Sequence, residues 1–320
     1  MSIKFNNLTT SPSRFLCAQE TDCPPALLNL GRQERPQPFI FVRAIGSEVL
    51  QTARDAMDAK LAVPILIGEA DIIAHDAATI GWSLEGIKIL PAVGEVGAIQ
   101  EAIRFYSNYQ VGGIVKGQLH TDVFMGGLVK RDSGIRMGNR LVHVFAMLPP
   151  TGGRPLLISD AAVNVAPNIE TRTEAALHMA RLIRQLGVSR PRIAILSATE
   201  SLLESMPSSI ESAEIAALAT SRDGDADYVG PISFDLALSP KAATIKDYNN
   251  PVAGMADGLV VPEIVSGNIL FKSLVWCSGG LAAGIVLGGK VPIILTSRSD
   301  PAPARLASIA IASISSKYLG

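Results

Sequence analysis

Short apolar runs rich in β-branched residues alternate along this chain with longer stretches of helical spacing. Phe39–Arg43 (FIFVR), Val63–Gly68 (VPILIG), Ile87–Leu90 (IKIL) and Val111–Gly117 (VGGIVKG) read as strands, each a brief apolar run bounded by turn formers. Ser47–Ala62, Glu69–Trp82, Gly94–Tyr109 and Leu119–Arg131 follow them in turn and read as helices, with apolar residues returning every three or four positions. Repeated strand–helix order builds a parallel sheet covered by helices, so an α/β fold is expected. Residues 1 to about 38 show weak periodicity and read as an arm with room for one short helix.

Further on, Arg140–Leu148 and Arg154–Ala162 flank the turn Pro149–Pro155 (PPTGGRP), a hinge or a hairpin loop. A chain of 320 residues is long for one compact unit, and a domain border is placed at that turn. The helix Thr171–Gly187, the strand Arg192–Ala198 and further strand–helix units carry the second region to about Gly284. The last strand and the amphipathic tail Ala302–Leu319 are expected to return to the first. The expected division is therefore 1–152 with 286–320, and 153–285. The most apolar stretch, Gly279–Thr296, is interrupted by Lys290, paired glycines and Pro292, and reads as two core strands rather than a membrane span.

Composition narrows the class. Hydrophobic residues at 48% and charged residues at 18% provide a large core and exclude disorder. With a formal net charge of -1 and no basic block, neither nucleic acid nor a membrane surface is expected as partner, so any ligand charge must be met locally. Cys17, Cys23 and Cys277 lack regular spacing, which argues against a disulfide framework and suits a reducing cytoplasm. No apolar signal segment opens the chain.

Familiar chemical motifs are scarce. Gly284–Val291 (GIVLGGKV) lacks the hydroxyl and the following helix that a phosphate loop needs, and no G-x-G-x-x-G or G-x-S-x-G occurs. His75, His120, His143 and His178 are scattered, so no metal is expected. Cys277 reads as a small residue near a helix end, with no His or Asp nearby in sequence to activate it.

Three turns remain where a strand feeds a helix: Lys116–Asp122, Glu263–Asn268 and Thr296–Asp300. Such turns aim free backbone N–H groups and the positive end of a helix dipole at one spot, which suits an anion. In open α/β sheets several of them can converge on one crevice. Each also has a plainer reading. Asp300 before Pro301 fits a helix N-cap, Ser266, Gly267 and Asn268 fit another, and His120 fits a cap or a surface position. Arg298 differs, because an arginine beside a cap has no capping duty and offers a planar fork suited to phosphate.

The stretches Ile158–Asn168 (ISDAAVNVAPN), Leu259–Lys272 (LVVPEIVSGNILFK), Ala282–Asp300 (AAGIVLGGKVPIILTSRSD) and, more weakly, KGQLHTD resemble the phosphate acetyltransferase and phosphate butyryltransferase family. The form TSRSD is closer to the butyryl branch, and GQLHTDVFMGG with VHVF is similar to the phosphate-acyltransferase half of certain enoyl-CoA hydratase fusions. The resemblance implies two α/β domains of the isocitrate/isopropylmalate dehydrogenase type with a cleft between them, and a homodimer. It also implies reversible transfer of a short acyl group between acyl phosphate and coenzyme A, with inorganic phosphate as the other product and no cofactor beyond coenzyme A as substrate. Ser297 would then hydrogen-bond the reacting carbonyl or phosphate, and Arg298 would clamp the phosphoryl oxygens. Ser266, Gly267, Asn268, Lys116, His120 and Thr121 would bind substrate.

Two positions depart from the pattern. Ala304 stands where the acetyl branch carries an aspartate thought to deprotonate the thiol, and Met125 where an arginine is expected. Asp300 is kept among the catalytic candidates for that reason. Two rival classes are a non-catalytic acyl-CoA or acyl-phosphate binding module, which those departures favour, and a dehydrogenase on the same fold, which would need a carboxylate cluster for a divalent metal.

Overall fold

A computed structural model describes residues 15–17, 20–136, 140–296 and 300–317. The chain runs α1 (Pro25–Gly31), β1 (Pro38–Val42), α2 (Ser47–Asp58), β2 (Val63–Gly68), α3 (Ala70–Thr79), β3 (Lys88–Pro91), α4 (Gly94–Asn108), β4 (Gly113–Lys116), α5 (Thr121–Leu128), β5 (Val142–Leu148) and β6 (Leu156–Ser159). It continues through α6 (Ile169–Gln185), β7 (Arg192–Leu196), α7 (Pro207–Arg222), β8 (Asp227–Ile232), α8 (Phe234–Leu238), α9 (Pro240–Ile245), β9 (Gly258–Val260), α10 (Ile264–Ser278), β10 (Leu281–Leu287), β11 (Ile293–Ile294) and α11 (Ala302–Ser316). The alternation expected from the apolar pattern is present, with helices starting within two residues of the expected positions.

All eleven strands form one sheet in the order β3-β2-β1-β4-β11-β10-β5-β6-β9-β7-β8. The first five are parallel and so are the last four. Between them β10 runs antiparallel to both β11 and β5, and β5 antiparallel to β6. The Pro149–Pro155 turn is thus the loop of the β5–β6 hairpin.

Side chains alternate faces along each strand. On β1, Phe39 and Phe41 enter one core and Ile40 and Val42 another. The first core is continuous beneath the whole sheet, from Leu50 and Leu66 to Ile195 and Ala216. The opposite face is divided. One core there gathers around Ile114, Phe124 and Ile293, and a separate one around Met147, Ile158 and Leu259.

The last helix is built into the continuous core, with Ala304, Ala307 and Ile309 through Ile314 buried. Because β11 is only two residues long, the Gly284 N–H on β10 has no strand partner on that side and instead donates to Ser308 Oγ of α11 at 3.0 Å. Ser313 Oγ donates to the Gly31 carbonyl at 2.8 Å, tying α1 to α11. Among the described residues no helix is long and apolar enough to cross a membrane.

Candidate active site

Close packing fixes the turn after β4. Gly117 N–H donates to the Val42 carbonyl and Gln118 N–H to that of Arg43, both at 2.9 Å. A Cβ at Gly117 would stand 2.4 Å from both acceptor oxygens, so only glycine lets the two chain segments meet there. Lys116 ends β4 and is buried. Thr121 is the first residue of α5 and exposed, and His120 is its N-cap by position but makes no side-chain cap bond.

The His120 ring turns instead to α4. Its Nδ1 lies 2.8 and 3.0 Å from the two carboxylate oxygens of Glu95, and its backbone N–H donates to Glu95 Oε2 at 3.1 Å. Behind Glu95 stands Arg43, whose Nη1 is 3.6 Å from Glu95 Oε1 and donates to the Gln118 carbonyl at 3.0 Å. Its Nη2 reaches Glu69 Oε1 at 3.4 Å, and that oxygen also accepts from Gly94 N–H at 2.9 Å. The His120 N–H, then the ring and Arg43, hold the Glu95 carboxyl below its ordinary range. Burial pushes Glu69 upward, but the Gly94 N–H and the Arg43 guanidinium outweigh it and the net shift is downward.

Arg43, Glu69 and Glu95 were not among the residues expected from the sequence. A signal was available: Arg43 and Glu69 directly follow the C-terminal ends of β1 and β2, and Glu95 stands in the first turn of α4 shortly after β3, the side of the sheet where open α/β folds gather functional groups.

Asp300 lies beyond β11, at the same edge of the sheet as the β4 turn, since β11 and β4 are parallel neighbours. The N-cap expected at Asp300 falls one residue later, on Pro301, and the Asp300 carbonyl accepts from Arg305 Nη1 at 3.0 Å. Ser297 and Arg298 lie outside the described residues. Ala304 is buried in α11, and Met125 packs against the core around Phe124.

Ser266, Gly267 and Asn268 belong to a different assembly. The cap of α10 is Glu263, whose carboxylate accepts from Val265 N–H at 2.6 Å and Ser266 N–H at 2.8 Å. Those N–H groups, with Ser266 Oγ, overcome the upward pull of burial and lower the Glu263 pKa. The expected anion position at this helix end is therefore filled by the chain's own carboxylate. Ser266 Oγ donates to the Glu263 carbonyl at 2.7 Å and Asn268 Nδ2 to that of Ala161 at 3.4 Å. Nearby, the Asp160 carboxylate accepts from the N–H groups of His143, Ala162 and Val163 and from Asn164 Nδ2, at 2.7–2.9 Å.

Strand direction separates the two groups. Three antiparallel pairings lie between β11 and β9, so β9 delivers its turn to the sheet edge opposite the one reached by β4 and β11. The sequence allows all three turns to converge on one crevice; along the sheet, the β4 and β11 turns lie at one edge and the β9 turn at the other. Among the described residues no group of three or more His, Cys, Asp or Glu is gathered as a metal site requires.

Residues 98–313 match the model of the family described as Phosphate acetyl/butaryl transferase. The chain belongs to this family. It is 35% identical to the phosphate acetyltransferase of Rickettsia typhi (strain ATCC VR-144 / Wilmington) over 281 residues, 87% of this chain and 80% of that protein. Among solved structures, a branched-chain phosphotransacylase from Enterococcus faecalis V583 superposes with a TM-score of 0.76 at 29% identity, over 87% of this chain and 99% of that one. A 4-hydroxythreonine-4-phosphate dehydrogenase from Burkholderia phymatum reaches 0.55 at 14% identity, over 90% of this chain and 99% of that one, a likeness of fold alone. The chain is thus an acyltransferase on an α/β fold shared with dehydrogenases.

Proposed function

We infer that the protein catalyses reversible acyl transfer between a short-chain acyl phosphate and coenzyme A, with inorganic phosphate as the other product. Family membership over residues 98–313 carries this reading. The reaction is direct attack of the thiolate on the acyl carbon, driven by positioning and charge stabilisation, with coenzyme A as a substrate and no further cofactor. The site is assigned to the edge where β1, β4 and β11 end. Lys116, His120 and Thr121 line it, Ser297 meets the reacting oxygen, Arg298 holds the phosphoryl group, and Asp300 closes the turn. Ser266, Gly267 and Asn268 would reach substrate only across the face of the sheet. Mixing the protein with acetyl, propionyl or butyryl phosphate and coenzyme A should raise thioester absorbance; none with any of the three, with or without a monovalent cation, would overturn the reading.

The division into residues 1–152 with 286–320 and 153–285 is likewise our proposal. The split of one sheet face into two cores supports it, and the border falls within β10. The homodimer is supported by α10, an apolar helix in which only Gly267 is fully buried. Val265, Ile269 and Trp276 form a stripe along it, each about 60% exposed (58%, 61% and 61%). The partner proposed is a second copy of this chain, with no nucleic acid or membrane involved. A cytoplasmic setting accords with three free cysteines.

A further inference from the structure

We propose that His120 is the general base of this reaction, its Nε2 taking the proton of the coenzyme A thiol while Glu95 positions the ring. The inference rests on the acyl-transfer reading above. A carboxylate only accepts, so Glu95 at 2.8 and 3.0 Å fixes the neutral ring with its hydrogen on Nδ1 and leaves the Nε2 lone pair available. The side chain is 69% exposed, and the ring's contacts with Glu95 are both made through Nδ1. A ring serving only to cap α5 would point its polar atoms at the helix, and this one makes no cap bond.

The support behind the ring is elaborate for a surface histidine. Arg43 bridges Glu95, Glu69 and the carbonyl of Gln118, so it grips both the carboxylate and the turn that carries His120. Its own backbone is left-handed, φ 51°, an unfavourable conformation for a residue with a side chain and one that gathers at functional sites. Arg43 Nε and Glu69 Oε2 are buried without hydrogen-bond partners, a further cost accepted at this spot.

Rival carboxylates are engaged elsewhere. Asp160 accepts four hydrogen bonds, Glu263 caps α10, and Glu69 holds Gly94 and Arg43. The charged groups around His120 are Glu95 of α4, Arg43 at the end of β1, Glu69 before α3 and Asp122 in the first turn of α5.

In the forward step the thiol proton moves to Nε2 as sulfur bonds to the acyl carbon. The carbon–oxygen bond to phosphate then breaks, and its electron pair leaves on the phosphate oxygen. The imidazolium returns its proton to phosphate or water. In reverse it protonates the departing thiolate.

The test is the pH profile of kcat/KM for coenzyme A with acetyl phosphate in the wild type and in His120→Asn, Glu95→Gln and Asp300→Asn. Asparagine keeps a donor where Nδ1–H stood and removes the base. We expect His120→Asn to melt like the wild type and to lose roughly 10²- to 10⁴-fold near neutrality. Its residual rate should climb about tenfold per pH unit toward the ordinary thiol pKa near 8.5. Glu95→Gln should lower kcat by loosening the ring while leaving KM for coenzyme A close to that of the wild type, as a positioning role requires. Superimposable profiles for wild type and His120→Asn overturn the proposal, as does a loss confined to KM, which would make His120 a binding contact. A limb that vanishes in Asp300→Asn and survives in His120→Asn assigns the base to Asp300 instead. A wild type that forms no thioester overturns the acyl-transfer reading and this proposal together, whereas an active wild type with unaffected His120 variants overturns the proposal alone.

Discussion

Gly267 of α10 lies so close to Asp160 that a Cβ on it would stand 2.5 Å from the Asp160 carbonyl oxygen. That contact seats α10 on the loop after β6, the loop whose Asp160 side chain also gathers four hydrogen bonds. Gly267→Ala should therefore destabilise the protein by about 1–3 kcal/mol, because a backbone oxygen cannot move aside cheaply. The helix-propensity gain of alanine, about 1 kcal/mol, opposes this and is outweighed. Gly126→Ala in α5, where a Cβ meets nothing within 4 Å, is the control and should stabilise by about 0.5–1 kcal/mol. Denaturant unfolding of the two variants checks both signs.

Two histidines set an acid limit. Burial pushes the pKa of His143 and of His178 down from 6.5 to about 4. The unfolded chain binds these protons first on acidification, so stability is complete above pH 6.5 and falls as pH drops from there toward 4. The loss is on the order of 3 kcal/mol for each ring as an upper bound. The lowered carboxylates, Glu69 and Glu263 among them, add their losses only below about 4.5. Both ring nitrogens of His143 lack partners, and its ring meets Phe145 edge-on at 4.3 Å. His143→Phe should therefore flatten the upper part of this limb in melting experiments run from pH 7.5 to 4.5. An unchanged limb would count against the assignment.

The α10 stripe leads to an expectation about assembly. Trp276→Glu, or Ile269→Glu, should turn a dimeric species into a folded monomer in sedimentation experiments. A wild type that is already monomeric, or a variant that stays dimeric, removes this surface from the interface. A monomer whose melting temperature falls when residues 1–14 are deleted would identify the arm as the cover instead.

Arg298 carries the sharpest expectation about turnover. If its guanidinium holds the phosphoryl group as charge moves onto the leaving phosphate, Arg298→Gln should cost roughly 10²- to 10³-fold in kcat with little change in stability. Asp300→Asn should keep most of the activity and the melting temperature, since the residue stands one place before the N-cap of α11, outside the helix, and the proton transfer is proposed for His120. Steady-state assays and thermal melts of the two proteins decide the matter.

The chain's own pattern determined the elements and their alternation. Runs such as FIFVR and VPILIG could be buried on both faces only as central strands, and helical spacing between them required covering helices. The stretches LVVPEIVSGNILFK and AAGIVLGGKVPIILTSRSD also mark the family from the sequence alone. Direction in the sheet was a matter for the tertiary structure. Whether β9 delivers its turn beside β11 or at the far edge depends on how many antiparallel pairings intervene, a long-range count that no local pattern encodes. The same holds for the network around His120. Arg43, Glu69, Glu95 and His120 are separated in sequence by 26, 26 and 25 residues, and each alone reads as an ordinary charged or polar residue shortly after a strand. Only parallel pairing of β1, β2, β3 and β4 brings those strand ends side by side, so that a carboxylate from one turn can orient an imidazole on another.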